Sequence, residues 1–280
     1  MSEAGRSAAY ATTGSSGEYD HYAWVRYTPQ ERFARTVGHL IVAILLYWAL
    51  STVDIFWPWV WTAPAQISDM MFRMFPPSMA QFGPIVWALF ESINIAILGT
   101  IGAVIMALPI AYLGAQTVTP NALTLWFARL IIVATRSVDT LIWALVFVAV
   151  IGPGPLAGIL AVAFRSIGFL SKLIAEAIEE IDWGPVEALQ ASGASRAHII
   201  TYAIVPQVMP SFWAITILRW DINIRESTVL GLVGAGGIGL LFQGAIDLFR
   251  WNTVSLILIV VVLVVFAGEL ITGFVRKKLL

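Results

Sequence analysis

Apolar residues gather in six near-continuous blocks: Val37–Trp57, Pro84–Leu113, Leu123–Val150, Leu156–Ile174, Val208–Leu232 and Val254–Val275. A helix needs roughly 20 mainly apolar residues to cross a bilayer, and every block supplies about that many or more. The pattern predicts an all-α integral membrane protein with six transmembrane helices and both termini on one side. The second and third blocks exceed one upright helix. Pro109 predicts a kink in the second, and Arg136 with Asp139 predicts a break in the third, leaving its first part along the membrane surface. Residues 1–27 have no apolar period and read as a flexible tail. Residues 28–83 read as an interfacial helix, the first span and an outer loop, and 84–280 as the main membrane domain. Thr28 to Glu31, TPQE, fits a capping box with Pro29 at the first helical position. Arg32 and Arg35, flanked by Trp24, Tyr27 and Phe33, suit the headgroup boundary.

Composition agrees with the blocks. The chain of 280 residues is 59% apolar and 12% charged, with a mean hydropathy of +0.84. Soluble domains carry about 25% charged residues, so a soluble fold of this length could not cover its surface. A net charge of −1 gives no footprint for nucleic acid. With no cysteine and three scattered histidines (His21, His39, His198), neither a metal site nor a bound cofactor is expected. Charge placement is more telling than the total. Arg26, Arg32 and Arg35, then Lys172 and Arg196, then Arg276, Lys277 and Lys278 share one side, against Arg73 and Arg250 on the other. Lys and Arg in short loops mark the cytoplasmic face, which places both termini and the 175–207 loop there.

Gly234 to Gly239, GAGGIG, has the G-x-G-x-x-G spacing of a dinucleotide site. That fingerprint belongs to a strand–helix–strand unit with an acid about 20 residues on. Here the following stretch, Asn252 to Gly268, has no acid, and the surroundings are apolar blocks. Gly234, Gly236, Gly237 and Gly239 are therefore assigned to close helix approach and sharp turns at a pore mouth.

Between the fourth and fifth blocks lies a charge-rich island, AEAIEEIDWGPVEALQASGASRAHIITYAIVPQVMP. Its punctuation predicts short helices over Ile174–Ile181, Val186–Ala191 and Ser195–Ile204, a corner at Gly193 and a change of direction at Pro206. Glu187-Ala188-Leu189, Gly193 and Pro206 match the spacing of the EAA motif of ABC-importer permeases, with Leu189, Ala203 and Val205 as departures. IGPGPLAGILAVAF, EAIEEID, VPQVMP and NIRESTVLGLVGAGGIG together resemble the permease of phosphonate-import ABC systems over residues 85–278.

That resemblance implies a type I ABC-importer (MetI-like) core. It implies a coupling role for Glu187, Ala188, Leu189, Gly193 and Pro206 in a groove of cytoplasmic ATPase subunits present in two copies. It implies further that a second copy of the permease completes the pathway and that an extracytoplasmic binding protein delivers phosphonate, phosphate or phosphite. The chain itself would catalyse nothing; it has no Walker motif. The fifth block carries Arg219, Asp221, Arg225 and Glu226, costly inside a bilayer unless paired or facing water. Either the arginines pair with the two acids, or they line an anion path with Ser227 and Thr228. Arg136 and Arg165 are weaker path candidates, Arg136 because a pair with Asp139 is expected and Arg165 because a place nearer the cytoplasm is. An ion-coupled secondary transporter using the same charges is the alternative, although it leaves the EAA spacing unexplained.

Overall fold

The computed structural model describes residues 29–54 and 56–279, in two compact units divided after Ala63. The tail and the Thr28 cap lie outside the described residues. In the first unit, α1 (Pro29–Thr52) begins at the expected proline and has 23 apolar-rich residues, none of them buried. It stops short of the predicted Trp57. Trp57 instead opens α2 (Trp57–Met74), in a region read as loop. Thr62, Gln66, Asp69 and Arg73 recur along it every three or four residues, with Asp69 and Arg73 paired at 2.9 Å. This one-sided polar stripe, with Trp and Met elsewhere, is the mark of an amphipathic helix.

The second unit is built around α3 (Phe82–Gly114) and α6 (Pro155–Glu179). Small residues make this possible. Ala88, Ser92, Ala96, Gly99, Ala103, Ala107 and Ala111 form a buried stripe along α3. A Cβ on Gly99 would come within 2.6 Å of Val162 Cγ1, so the two helices touch nearly backbone to backbone. Without water to drive helices together, such close packing supplies much of their association. α3 runs unbroken through Pro109. The predicted break in the third block is present: α4 (Ala122–Ser137) and α5 (Thr140–Ile151) meet at 93°. Asn121 and Asp139 cap their N-termini through their side chains.

α6 continues to Glu179, so the helix predicted over Ile174–Ile181 is the end of α6 and the turn after it, not a separate helix. Then come α7 (Gly184–Ala191) and α8 (Arg196–Ile199), which runs on through a wide π turn at Ile200–Ile204 into α9 (Val205–Leu230). The helix therefore passes through Pro206 without a break. The wide turn absorbs the missing proline N–H, and the rod from Arg196 to Val233 stays continuous. A glycine hairpin leads to α10 (Ile238–Asp247), a second unforeseen helix, and α11 (Trp251–Leu279) crosses back. Five helices are long and apolar enough to span a membrane, and the bent α4–α5 pair makes a sixth, among the described residues. α3, α6 and α9 each run between a glycine-hairpin end and an α7 end.

Candidate functional site

At the α7 end, Val186 is buried and Leu189 half-buried against the core, while Glu187 and Ala188 face outward. The departure at Leu189 is thus an apolar anchor. α7 ends in paired closing bonds: Gly193 N–H donates to Gln190 O (3.0 Å) and Ala194 N–H to Leu189 O (3.1 Å). This closure demands a left-handed residue, and Gly193 has φ +77°. Sequence reasoning missed Gln207, which clamps the turn leading into α7 and with it the α7 segment. Its Oε1 accepts from Asp182 N–H (2.9 Å), and its Nε2 donates to Asp182 O (3.1 Å) and Ala203 O (2.9 Å). The start of α9 is thereby tied to the turn before α7. Gln207→Ala removes these bonds and is expected to destabilise the corner by about 1 kcal/mol or more. Faster amide exchange over 180–194, with α3 unaffected, would show it.

At the opposite end, Gly231 and Gly239 pack face to face. A Cβ on Gly231 would lie 2.6 Å from Gly236 O, and one on Gly239 2.7 Å from Thr228 O. Gly236, with φ +82°, lies against Pro155 of α6. Gly154 N–H donates to Gly234 O (2.9 Å). The first amides of α10 are capped from α3: Gly237 N–H donates to Glu91 Oε1 (3.1 Å) and Ile238 N–H to Ser92 Oγ (2.9 Å). The glycines therefore knit α3, α6, α9 and α10 together.

Between these ends lies a polar network. Arg219 is 3% exposed; its Nε donates to Ser166 Oγ (2.9 Å), its Nη2 to Glu226 Oε2 (3.2 Å), and its guanidinium lies 5.3 Å from the Phe169 ring centre. Ser166 donates to Asn223 Oδ1 (3.2 Å), and Asn223 donates to Thr100 Oγ1 (2.8 Å). Thr140, at the start of α5, donates to Glu226 Oε2 (2.5 Å). Arg165 joins loosely, 3.6 Å from Glu226 and 3.5 Å from Asp139. Asp139 thus faces Arg165, not Arg136. Arg225 pairs with Asp221 one turn away at 2.8 Å. The two expected arginine–acid pairs are both present. Ser227 is buried and donates to Ile224 O, and Thr228 donates to Arg225 O.

Arg136 lies apart from this network, its stem over Gly168. It lines a groove of about 470 Å³ between α4 and α6, with Arg129, Lys172, Glu176 and Glu179. Glu179 lies 3.8 Å from Arg129, and Glu176 lies 3.5 Å from Lys172. Among the described residues Arg136 has no ion pair.

The profile of the family described as "Binding-protein-dependent transport system inner membrane component" matches residues 107–280. The chain is 42% identical over 208 residues to the putative phosphite transport system permease protein HtxC of Stutzerimonas stutzeri, covering 74% of each. It is 37% identical over 211 residues to the phosphite transport system permease protein PtxC of the same organism, covering 75% of this chain and 77% of that one. The phosphate-import permease protein PhnE of Mycolicibacterium smegmatis is 38% identical over 208 residues, 74% of this chain and 39% of that longer one. The fold is similar to a subunit of the inward-facing MetNI methionine ABC transporter, with TM-score 0.64, 19% identity, and 72% of this chain and 99% of that one covered.

Proposed function

This chain belongs to the family of binding-protein-dependent transport system inner-membrane components and is the permease subunit of a type I ABC importer, and we propose that its cargo is a phosphorus oxyanion: phosphite, phosphonate or phosphate. The observation that carries this reading is identity of 37–42% over three quarters of the chain with permeases named for phosphite or phosphate. The chemistry agrees, since guanidinium groups inside a bilayer suit a planar-forked grip on an oxyanion.

A permease of this family works with an ATPase and a binding protein. In our reading two ATPase subunits grip α7 through its outward face, Glu187 and Ala188, with Gly193 setting the corner, Leu189 anchoring it and Pro206 at the head of α9. The 175–207 loop and both termini face the cytoplasm, as the Lys and Arg distribution favours. The glycine hairpin then faces the receptor side, and a second copy of the chain completes the pathway. Arg219 and Arg225 lie along the route, with Ser227 and Thr228 beside them. Arg136, without an ion pair among the described residues, forms a station nearer the cytoplasm.

Reconstituted with its ATPase and binding protein, the permease is expected to take up phosphite, methylphosphonate or inorganic phosphate only while ATP is hydrolysed. Uptake that ignores ATP but stops when the proton gradient collapses would restore the secondary-transporter alternative.

A further inference from the structure

Glu226 occupies a place built for an anion. Three donors from three helices converge on it: the Thr140 hydroxyl at the N-terminal end of α5, the Arg219 guanidinium on α9, and Arg165 on α6. The three are unequally committed. Thr140 and Arg219 both bond Glu226 Oε2, and Arg219 is further held by Ser166 and the Phe169 ring. Arg165 is not held in this way. A guanidinium that simply neutralised Glu226 would close to about 2.8 Å. Instead its Nε stays 3.6 Å from Glu226 Oε1, buried and without a hydrogen-bond partner among the described residues, and its Nη1 stays 3.5 Å from Asp139. Among the described residues only Val138 O, at 3.1 Å, takes a bond from it. A buried donor left unpaired is costly, and in a native protein it calls for an explanation, a bound ion being one. The Arg165 side chain is also 28% exposed, whereas Arg219 is shut in.

Resting on the oxyanion reading above, we propose that Arg165 contacts the cargo and that the Glu226 carboxylate is a resident counter-ion which the cargo displaces. Arg219, Thr140 and Ser166 position the pair. The arriving oxyanion takes the Arg165 fork, and Glu226 moves off. When Glu226 returns, it competes for the same donors and the cargo leaves. Two arginines alone would hold a phosphorus oxyanion too firmly for transport; the returning carboxylate keeps binding weak.

The test uses the permease–ATPase complex in lipid nanodiscs, without the binding protein, and labelled inorganic phosphate, phosphite and methylphosphonate. Glu226→Gln is expected to raise retention about tenfold or more, since a charged competitor is removed. ATP-driven uptake through the full complex falls in step. Adding Arg165→Gln returns retention to the unmutated value. Wild-type retention and uptake in Glu226→Gln, or undiminished retention in the double variant, would overturn the exchange. Should Glu226→Gln fail to assemble, Arg165→Lys carries the test: it keeps the charge, loses the fork, and is expected to raise KM for uptake about tenfold with kcat little changed. An unchanged KM would overturn the proposal. A wild-type complex that imports none of the three anions would overturn the cargo reading beneath it, and that failure shows without any substitution.

Discussion

Gly193→Val is expected to leave the permease inserted and its partner ATPase hydrolysing ATP, while uptake per ATP falls about tenfold. Space is not the reason, for no atom lies within 4 Å of where a Cβ would stand. Backbone conformation is. At φ +77° a β-branched residue is disfavoured by roughly 1–2 kcal/mol or more, enough to shift a local equilibrium by tenfold. The chain relieves that strain by giving up the Gly193–Gln190 and Ala194–Leu189 bonds, and α7 then swings free of α8. Hydrolysis survives because the outward face of α7 is intact. Transmission fails because a slack corner cannot push. Gly193→Asn tests the cause, since asparagine tolerates the left-handed region, and should keep most of the uptake. Equal uptake per ATP in the valine variant and the wild type would refute the coupling role. Parallel ATPase and uptake measurements on proteoliposomes decide it.

The rod from Arg196 to Val233 shows why one corner can matter to the whole molecule. At 1.5 Å per residue its 38 residues reach about 57 Å. Near its start Gln207 holds the corner; further along it carries Arg219, Asn223 and Glu226; it ends at the glycine hairpin. In the proposed coupling, a tilt imposed at α7 would be passed along this continuous stretch to the polar network and the hairpin, the kind of packing change that has two arrangements and few between.

The spans, the break near Asp139 and the left-handed corner at Gly193 were legible because each is local. Apolar length, a capping acid and a lone glycine between short helices need no knowledge of the fold. The Asp221–Arg225 pair was legible for the same reason, being one helical turn apart. The network around Glu226 was not. Its partners Thr140 and Arg165 lie 86 and 61 positions away along the chain, and no periodicity says that α5 and α6 meet α9 there. Ser166, next to Arg165, was the faint signal: a polar pair inside an apolar block. α2 and α10 were missed because they are too short and too mixed to read as spans. Pro206 misled because a proline ordinarily ends a helix, and the π turn that lets this one continue leaves no mark in the sequence. The alanine stripe of α3 was in plain sight, yet its meaning depends on α6 lying against it.

Gly231→Ala is expected to disable the permease at the other end of the rod, and here the cause is space. Gly231 lies outside the left-handed region, with φ −63°, so alanine suits its backbone. The added methyl, however, would stand 2.6 Å from both Gly236 O and Gly239 C, backbone atoms that cannot rotate away. Overfilling such a contact costs about 1–3 kcal/mol when neighbours can shift. Here they can shift only by carrying α10 off its seat, which pulls Gly237 and Ile238 N–H from Glu91 and Ser92 and Gly234 O from Gly154. Those amides, lost from their caps in an apolar setting, add to the penalty. We expect lower thermal stability in detergent, poor recovery of the assembled complex, and uptake below a tenth of wild type. Gly244→Ala, on α10 itself with open space around the new methyl, is the matched control and should behave as wild type. If both variants proved equally stable and active, the hairpin would not be the close-packed joint that its geometry describes, and the rigid link between α9 and α10 would have to be given up.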